Sequence, residues 1–381
     1  MAMSVFRNIP YAAGPTGAAR FAAPAPVPGV PAAPGADGSG PTAPAPERRF
    51  PADLSPLMGP GWVRGEDYLT LDVWTPRTDG DAPVMVFVHG GAFLSGTGQA
   101  PAYDGTSFAR DGVVLVTLNY RLGAVGWLDL PDAPRNRGLL DVLAALRWVR
   151  EHVADYGGDP DRVTVFGQSA GGMIISALLV TPEAAGLFRG AISQSGGLHA
   201  LTGAEAAETT RALADRLGVP ATAEAFADIP DERLVSALAE VPGVGPRLSP
   251  LGVVLDGLDD TPPPHPVDLL VGTNTQESLL YQRPEQRAAI DALFRDARER
   301  LVSRSDKAFT YDFDWRGGPF GACHAVELPF VFDTTDLPAL RTANGLLGPD
   351  IPPSLAAEMH GAWVRFAMSG DPGWSGAHRF H

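Results

Sequence analysis

The sequence is short of the residues that build disulfide scaffolds, basic surfaces and membrane spans, and each shortage removes a class of function. Only one cysteine, Cys323, occurs in 381 residues. An intramolecular disulfide is therefore impossible, and a multi-cysteine zinc site is excluded. Lysine is reduced to Lys307, so arginine carries the positive charge, which reads as coding bias. Charged residues make up 19% of the chain and the formal net charge is −15. That balance argues against binding nucleic acid or an anionic membrane surface, and it disfavours strongly anionic substrates. No stretch approaches the roughly 18 uninterrupted apolar residues of a membrane span. Met1 to Tyr11 (MAMSVFRNIPY) lacks the basic-then-apolar pattern of a secretory signal. The expectation is a soluble cytoplasmic protein.

What is present points to a large layered core. Apolar residues reach 45%, with 44 glycines and 37 prolines supplying many tight loops. Residues 22–46 are almost wholly Ala, Pro, Gly and Ser, a composition that cannot bury enough surface to form an element. Because Phe6, Ile9 and Tyr11 before it look like packing residues, this segment is expected to wrap the surface of a single domain spanning 1–381. From Tyr68 onward, short apolar runs alternate with helical patterns. The clearest runs are Val84–Val88, Val113–Leu118, Val163–Phe166 and Leu269–Val271. Runs that are apolar at every position suit strands covered on both faces, as in a mostly parallel sheet. Gly138–Tyr156 places Leu139, Val142, Leu143, Leu146, Val149 and Val153 at helical spacing, and Gly157-Gly158 stops it. Two later helices are expected over Ala204–Leu217 and Ser354–Ser369, the second capped by Ser354, with Met359, Trp363 and Phe366 on one face. Such alternation predicts an α/β fold with helices on both faces of the sheet.

The sharpest chemical signal is Gly167-Gln168-Ser169-Ala170-Gly171, directly after the strand VTVF and before a helical stretch near Met173. A serine on a sharp strand-to-helix turn needs small neighbours two positions away, and the turn pushes its hydroxyl clear of the sheet. His89-Gly90-Gly91-Ala92-Phe93 follows the strand VMVFV, and its small residues leave backbone N–H groups open to a developing oxyanion. The N–H of Ala170 adds a further donor. His89 precedes the serine and is expected to orient this loop. In α/β-hydrolases the chain order is nucleophile, acid, histidine. Glu277 fits the acid, after the strand-like DLLV, with Asp256, Asp259 and Asp260 as rivals. Of the histidines that follow Glu277, His360 sits in a helical pattern and His378 and His381 lie at an expectedly mobile terminus. His324 is left as the base by elimination. Cys323 beside it reads as a buried, inert thiol.

Taken together, these segments resemble the type-B carboxylesterases, a family that includes the cholinesterases and bacterial p-nitrobenzyl esterases. Phe6–Ala12 resembles the family's F-x-G-I-P-Y-A, and Glu66–Val73 its E-D-C-L-x-L-N-V. HGGAF, Asn119–Gly123, Asn136–Asp141 and Tyr156–Pro160 continue the match into Val163–Gly172. Gly272–Glu277 resembles G-T-N-x-D-E, and His324–Phe332 resembles H-G-x-E-L-P-F-V-F. The resemblance implies an α/β-hydrolase fold and a serine carboxylesterase. In it, Ser169 is the nucleophile, Glu277 the acid and His324 the base, with oxyanion donors at Gly91, Ala92 and Ala170. It implies no metal and no organic cofactor, and a small or medium neutral ester as substrate. Two rivals stand beside this reading: a tailoring enzyme using the same triad for acyl transfer, lactone formation or elimination, and a non-catalytic binding protein. The departures concern length. The usual leading strands are expected to be absent, and the acid-to-base interval is only 47 residues, with a shortened segment over 278–320. A more open or reshaped pocket is the expected result. Gln168 also stands where glutamate is common, and Ala325 replaces the glycine after the base.

Overall fold

The computed structural model describes residues 3–27, 38–243, 248–256 and 266–381. Asp259 and Asp260 lie outside them. Among the described residues nine strands form one sheet: β1 (Ser4–Pro10), β2 (Thr70–Thr75), β3 (Ala82–Val88), β4 (Val114–Leu118), β5 (Gly158–Gln168), β6 (Gly190–Gln194), β7 (Asp268–Asn274), β8 (Ala308–Phe313) and β9 (Ala377–Phe380). Their order is β1-β2-β4-β3-β5-β6-β7-β8-β9. The β1–β2 and β2–β4 pairs are antiparallel and every other pair is parallel.

The continuously apolar strands follow from burial on both faces. Val84, Val86 and Val88 of β3 point into one core, while Met85 and Phe87 point into the other. Strand β5 divides likewise, with Val163 and Val165 on the first side and Phe166 on the second. Five longer helices matter here: α1 (Arg137–His152), α2 (Ala170–Leu178), α3 (Gly203–Leu217), α4 (Arg287–Val302) and α5 (Pro353–Ser369). The apolar stripe of α1 covers the first face through Leu139, Val142, Leu143, Leu146 and Val149. It gives way to a 3-10 turn at Val153–Tyr156, and Gly157 closes it in the left-handed region. The stripe of α5, with Met359, Trp363 and Phe366, covers the second face.

Three expectations need correction. Ser354 does not cap α5; Pro352 holds that position and Pro353 takes the first turn, where its fixed φ and missing N–H cost nothing. The helix after Ser169 starts at Ala170 rather than near Met173. The C-terminal segment is the ninth strand, not a mobile end: Phe380 is fully buried against Tyr311 and Trp363, and His378 bonds Glu358 at 2.8 Å.

The described parts of the Pro/Ala/Gly-rich segment contain no helix or strand but lie against the body. Thr42 and Ala43 are buried, and the Thr42 hydroxyl donates to Gly61 O at 2.7 Å while accepting from Val63 N. Between β7 and β8 one long helix, α4, makes the crossover, preceded by single 3-10 turns. No helix among the described residues is long and apolar enough to cross a membrane.

Candidate active site

Ser169 sits between β5 and α2 with φ 57° and ψ −123°, a backbone conformation that costs free energy in any non-glycine residue. Close packing permits it. A Cβ on Gly171 would stand 2.0 Å from Val88 O, so the chain crosses β3 only because that side chain is missing. Ser169 N donates to Gln194 O at 2.8 Å, which fixes the turn to β6.

The loop after β3 is held in a similarly constrained form. Gly91, Ala92 and Phe93 all have positive φ, at 117°, 59° and 62°. Gly91 O accepts from Leu94 N and Ser95 N, and Gly123 N closes on Phe93 O. Among the described residues no protein acceptor takes the N–H of Gly91, Ala92 or Ala170. His89 braces the loop from beneath. Its Nδ1 donates to Gly90 O at 2.7 Å, its ring stacks on Tyr120 at 4.5 Å, and Tyr120 Oη donates to His89 O. Burial pushes the His89 pKa down to about 4, so the ring is neutral at pH 7.

Glu277 opens the 3-10 turn after β7 and is buried. Its Oε2 accepts from His324 Nδ1 at 2.6 Å, and its Oε1 accepts from Ser195 Oγ at 2.6 Å and from Asn274 N at 2.8 Å. With Nδ1–H committed to the carboxylate, His324 Nε2 keeps its lone pair, which accepts from Gln168 Nε2 at 3.3 Å. Phe294 of α4 packs on the imidazole with ring centroids 4.7 Å apart. The remaining candidates lie elsewhere. Asp256 pairs with Arg135 and accepts from Gly203 N at the start of α3. His360 donates Nδ1–H to Val331 O. Cys323 is fully buried, and desolvation together with the charges of Glu277 and Glu327 pushes its thiol well up.

Ser195 and Glu327 extend the site beyond the residues singled out from sequence. Ser195 adopts φ 44° in the tripeptide Gln194-Ser195-Gly196 at the end of β6; a polar run closing a buried strand was the available signal. Glu327 is fully buried, accepting from Asn274 Nδ2 at 2.6 Å and Gln194 Nε2 at 3.3 Å. Burial, then the charge of Glu277, raises its pKa to about 7.

Two adjoining cavities flank Ser169, and both also touch Ala92 and Tyr281. The first is walled by Met173, Leu201, Leu251, Leu293 and Phe294, so α4 supplies part of its wall. The second includes His324, Gln168, Leu57, Leu328 and Arg48.

A nine-stranded sheet with a serine on a strained strand-to-helix turn, and a buried Glu–His pair beside it, defines an α/β-hydrolase. The model of the carboxylesterase family matches residues 2–291, and the chain belongs to that family of ester hydrolases. It is 34% identical over 434 residues to the para-nitrobenzyl esterase of Bacillus subtilis (strain 168), covering 96% of this chain and 86% of that one. It is also 34% identical over 438 residues to the phenmedipham hydrolase of Pseudarthrobacter oxydans, covering 97% and 87%. Among solved structures, a PNB esterase superposes with a TM-score of 0.84 at 31% identity, covering 98% of this chain and 88% of that one. The Geobacillus stearothermophilus carboxylesterase EST55 gives 0.81 at 32%, again covering 98% and 88%.

Proposed function

We propose that this enzyme hydrolyses small to medium carboxylic esters through an acyl-enzyme intermediate, with Ser169 as nucleophile, His324 as base and Glu277 as the acid that orients it. The observation that carries this reading is the 2.6 Å Glu277–His324 bond in a site where His324 and Ser169 line one cavity. His324 Nε2 takes the Ser169 hydroxyl proton as Oγ attacks the ester carbonyl. The carbonyl oxygen becomes an oxyanion held by the N–H groups of Gly91, Ala92 and Ala170. Collapse breaks the bond to the alcohol oxygen, which leaves with the proton from His324. Water, deprotonated by the same nitrogen, then attacks the acyl-enzyme and releases the acid. Glu277 holds the Nδ1–H of His324 and stabilises the imidazolium that forms. Each oxyanion donor is worth roughly 3–4 kcal/mol in comparable sites.

The test is turnover of p-nitrophenyl esters from acetate to decanoate by wild type and Ser169→Ala. Wild-type activity that falls roughly 10⁴-fold or more in the variant is expected. A folded variant that keeps its rate would overturn the assignment.

A further inference from the structure

Arg48 is a cation inside the second cavity with almost nothing to hold. It shares that cavity with Ser169, Gln168 and His324. Among the described residues its one hydrogen bond is from Nη1 to Gly91 O at 3.2 Å, its guanidinium lies 4.9 Å from the Phe50 ring, and no carboxylate stands within ion-pair distance. The acidic residues nearest in sequence, Glu47 and Asp53, are exposed, and Asp53 is engaged with Ser55 N. The other enclosed arginines are saturated. Arg121 grips both oxygens of Asp141 and three backbone carbonyls, while Arg137 donates to four carbonyls. Burial lowers the Arg48 pKa, opposed by the Tyr281 hydroxyl. A guanidinium partly withdrawn from water, with most of its donors unspent, is matched by a planar carboxylate that takes two of them at once.

The side of the reaction is set by His324. It lines the cavity of Arg48 and not the other, and it must hand its proton to the departing alcohol oxygen, so the alcohol half lies on this side. The opposite cavity, walled by Met173, Leu201, Leu251 and Phe294, carries no Asp, Glu, Lys or Arg among the described residues and suits an apolar acyl chain. Resting on the esterase reading above, we propose that Arg48 binds a carboxylate on the alcohol half of the substrate, making the preferred substrates esters of acidic alcohols or phenols. The net charge of −15 disfavours strongly anionic substrates, but a single desolvated contact outweighs distant charges screened over about 8 Å at physiological salt.

The test compares 3- and 4-carboxyphenyl butyrate with their methyl esters, read as the ratio of kcat/KM within each enzyme. Wild type is expected to favour at least one free acid by tenfold or more, mainly through KM. Arg48→Gln is expected to bring that ratio to one or below, and Arg48→Lys to keep part of it. A wild-type ratio of one or less for both pairs, or a ratio that survives Arg48→Gln, would overturn the proposal. Calorimetric titration of Ser169→Ala with 4-hydroxybenzoate separates the two readings. If no ester is turned over, the esterase assignment fails, yet binding that weakens fivefold or more on adding Arg48→Gln still supports the carboxylate site. Equal binding with and without Arg48 refutes it.

Discussion

Glu327 shows how one residue can tie stability to pH. Its carboxyl is enclosed with Glu277, Asn274, Gln194 and His324, and the phenols of Tyr103 and Tyr311 also respond to its charge. Its folded pKa of about 7 lies above the ordinary 4.5, so the native state binds the extra proton between those values. The sign follows: stability is greatest at low pH for this group, falls as pH rises through that window, and has lost on the order of 3 kcal/mol above it. Urea denaturation of wild type and Glu327→Gln from pH 5 to 8 should show the variant gaining relative stability as pH rises. Parallel curves would mean that Glu327 stays ionised throughout. At this scale Ser169 and Glu277 stand out in sequence through short patterns beside strands, and His324 through elimination among the histidines that follow Glu277. Sequence reasoning did not reach Ser195 or the setting of Arg48. Both are ordinary polar residues in loops, given meaning only by what the tertiary fold places opposite them.

At the scale of elements, legibility followed burial. Strands β3 and β4, and the central stretches Val163–Phe166 of β5 and Leu269–Val271 of β7, are apolar at nearly every position because both faces are covered, so their runs stand out in sequence. The edge strands carry mixed patterns. In β1 (SVFRNIP) only Phe6 and Ile9 are buried, and β9 (AHRF) has four residues with one buried. An edge strand is specified by its neighbour more than by its own residues. Strand β9 nevertheless depends on one deep anchor, Phe380, set against Tyr311, Trp363 and Trp374. Phe380→Ala is expected to cost about 3 kcal/mol, read as a lower urea midpoint with an unchanged slope. A cost below 1 kcal/mol would show that the strand contributes little to the fold. The capping box at α3 illustrates the opposite case, since Thr202 and Glu205 satisfy each other's backbone within four residues and need no tertiary information.

For the molecule as a whole, the Arg121–Asp141 pair acts as an internal clamp. Both side chains are wholly buried, and Arg121 also reaches Arg20 O and Ala22 O, tying the N-terminal loop to β4 and α1. Asp141→Asn would strand the guanidinium's charge inside the core. A loss of roughly 3–5 kcal/mol is expected, measured by thermal or urea unfolding. A near-neutral result would mean that water reaches the pair. The resemblance through Asn119–Gly123 and Asn136–Asp141 marked both partners in sequence, but not that they meet. The sheet order carries a different consequence. Residues 4 and 380 lie in the first and last of nine strands, on opposite flanks. With neighbouring strands about 4.8 Å apart, they are separated by roughly 38 Å. A circular permutant would therefore need a linker on the order of 12 extended residues. Cargo proteins fused to the two ends would be held apart by the full width of the enzyme, which suits this chain to use as a rigid spacer in tandem fusions.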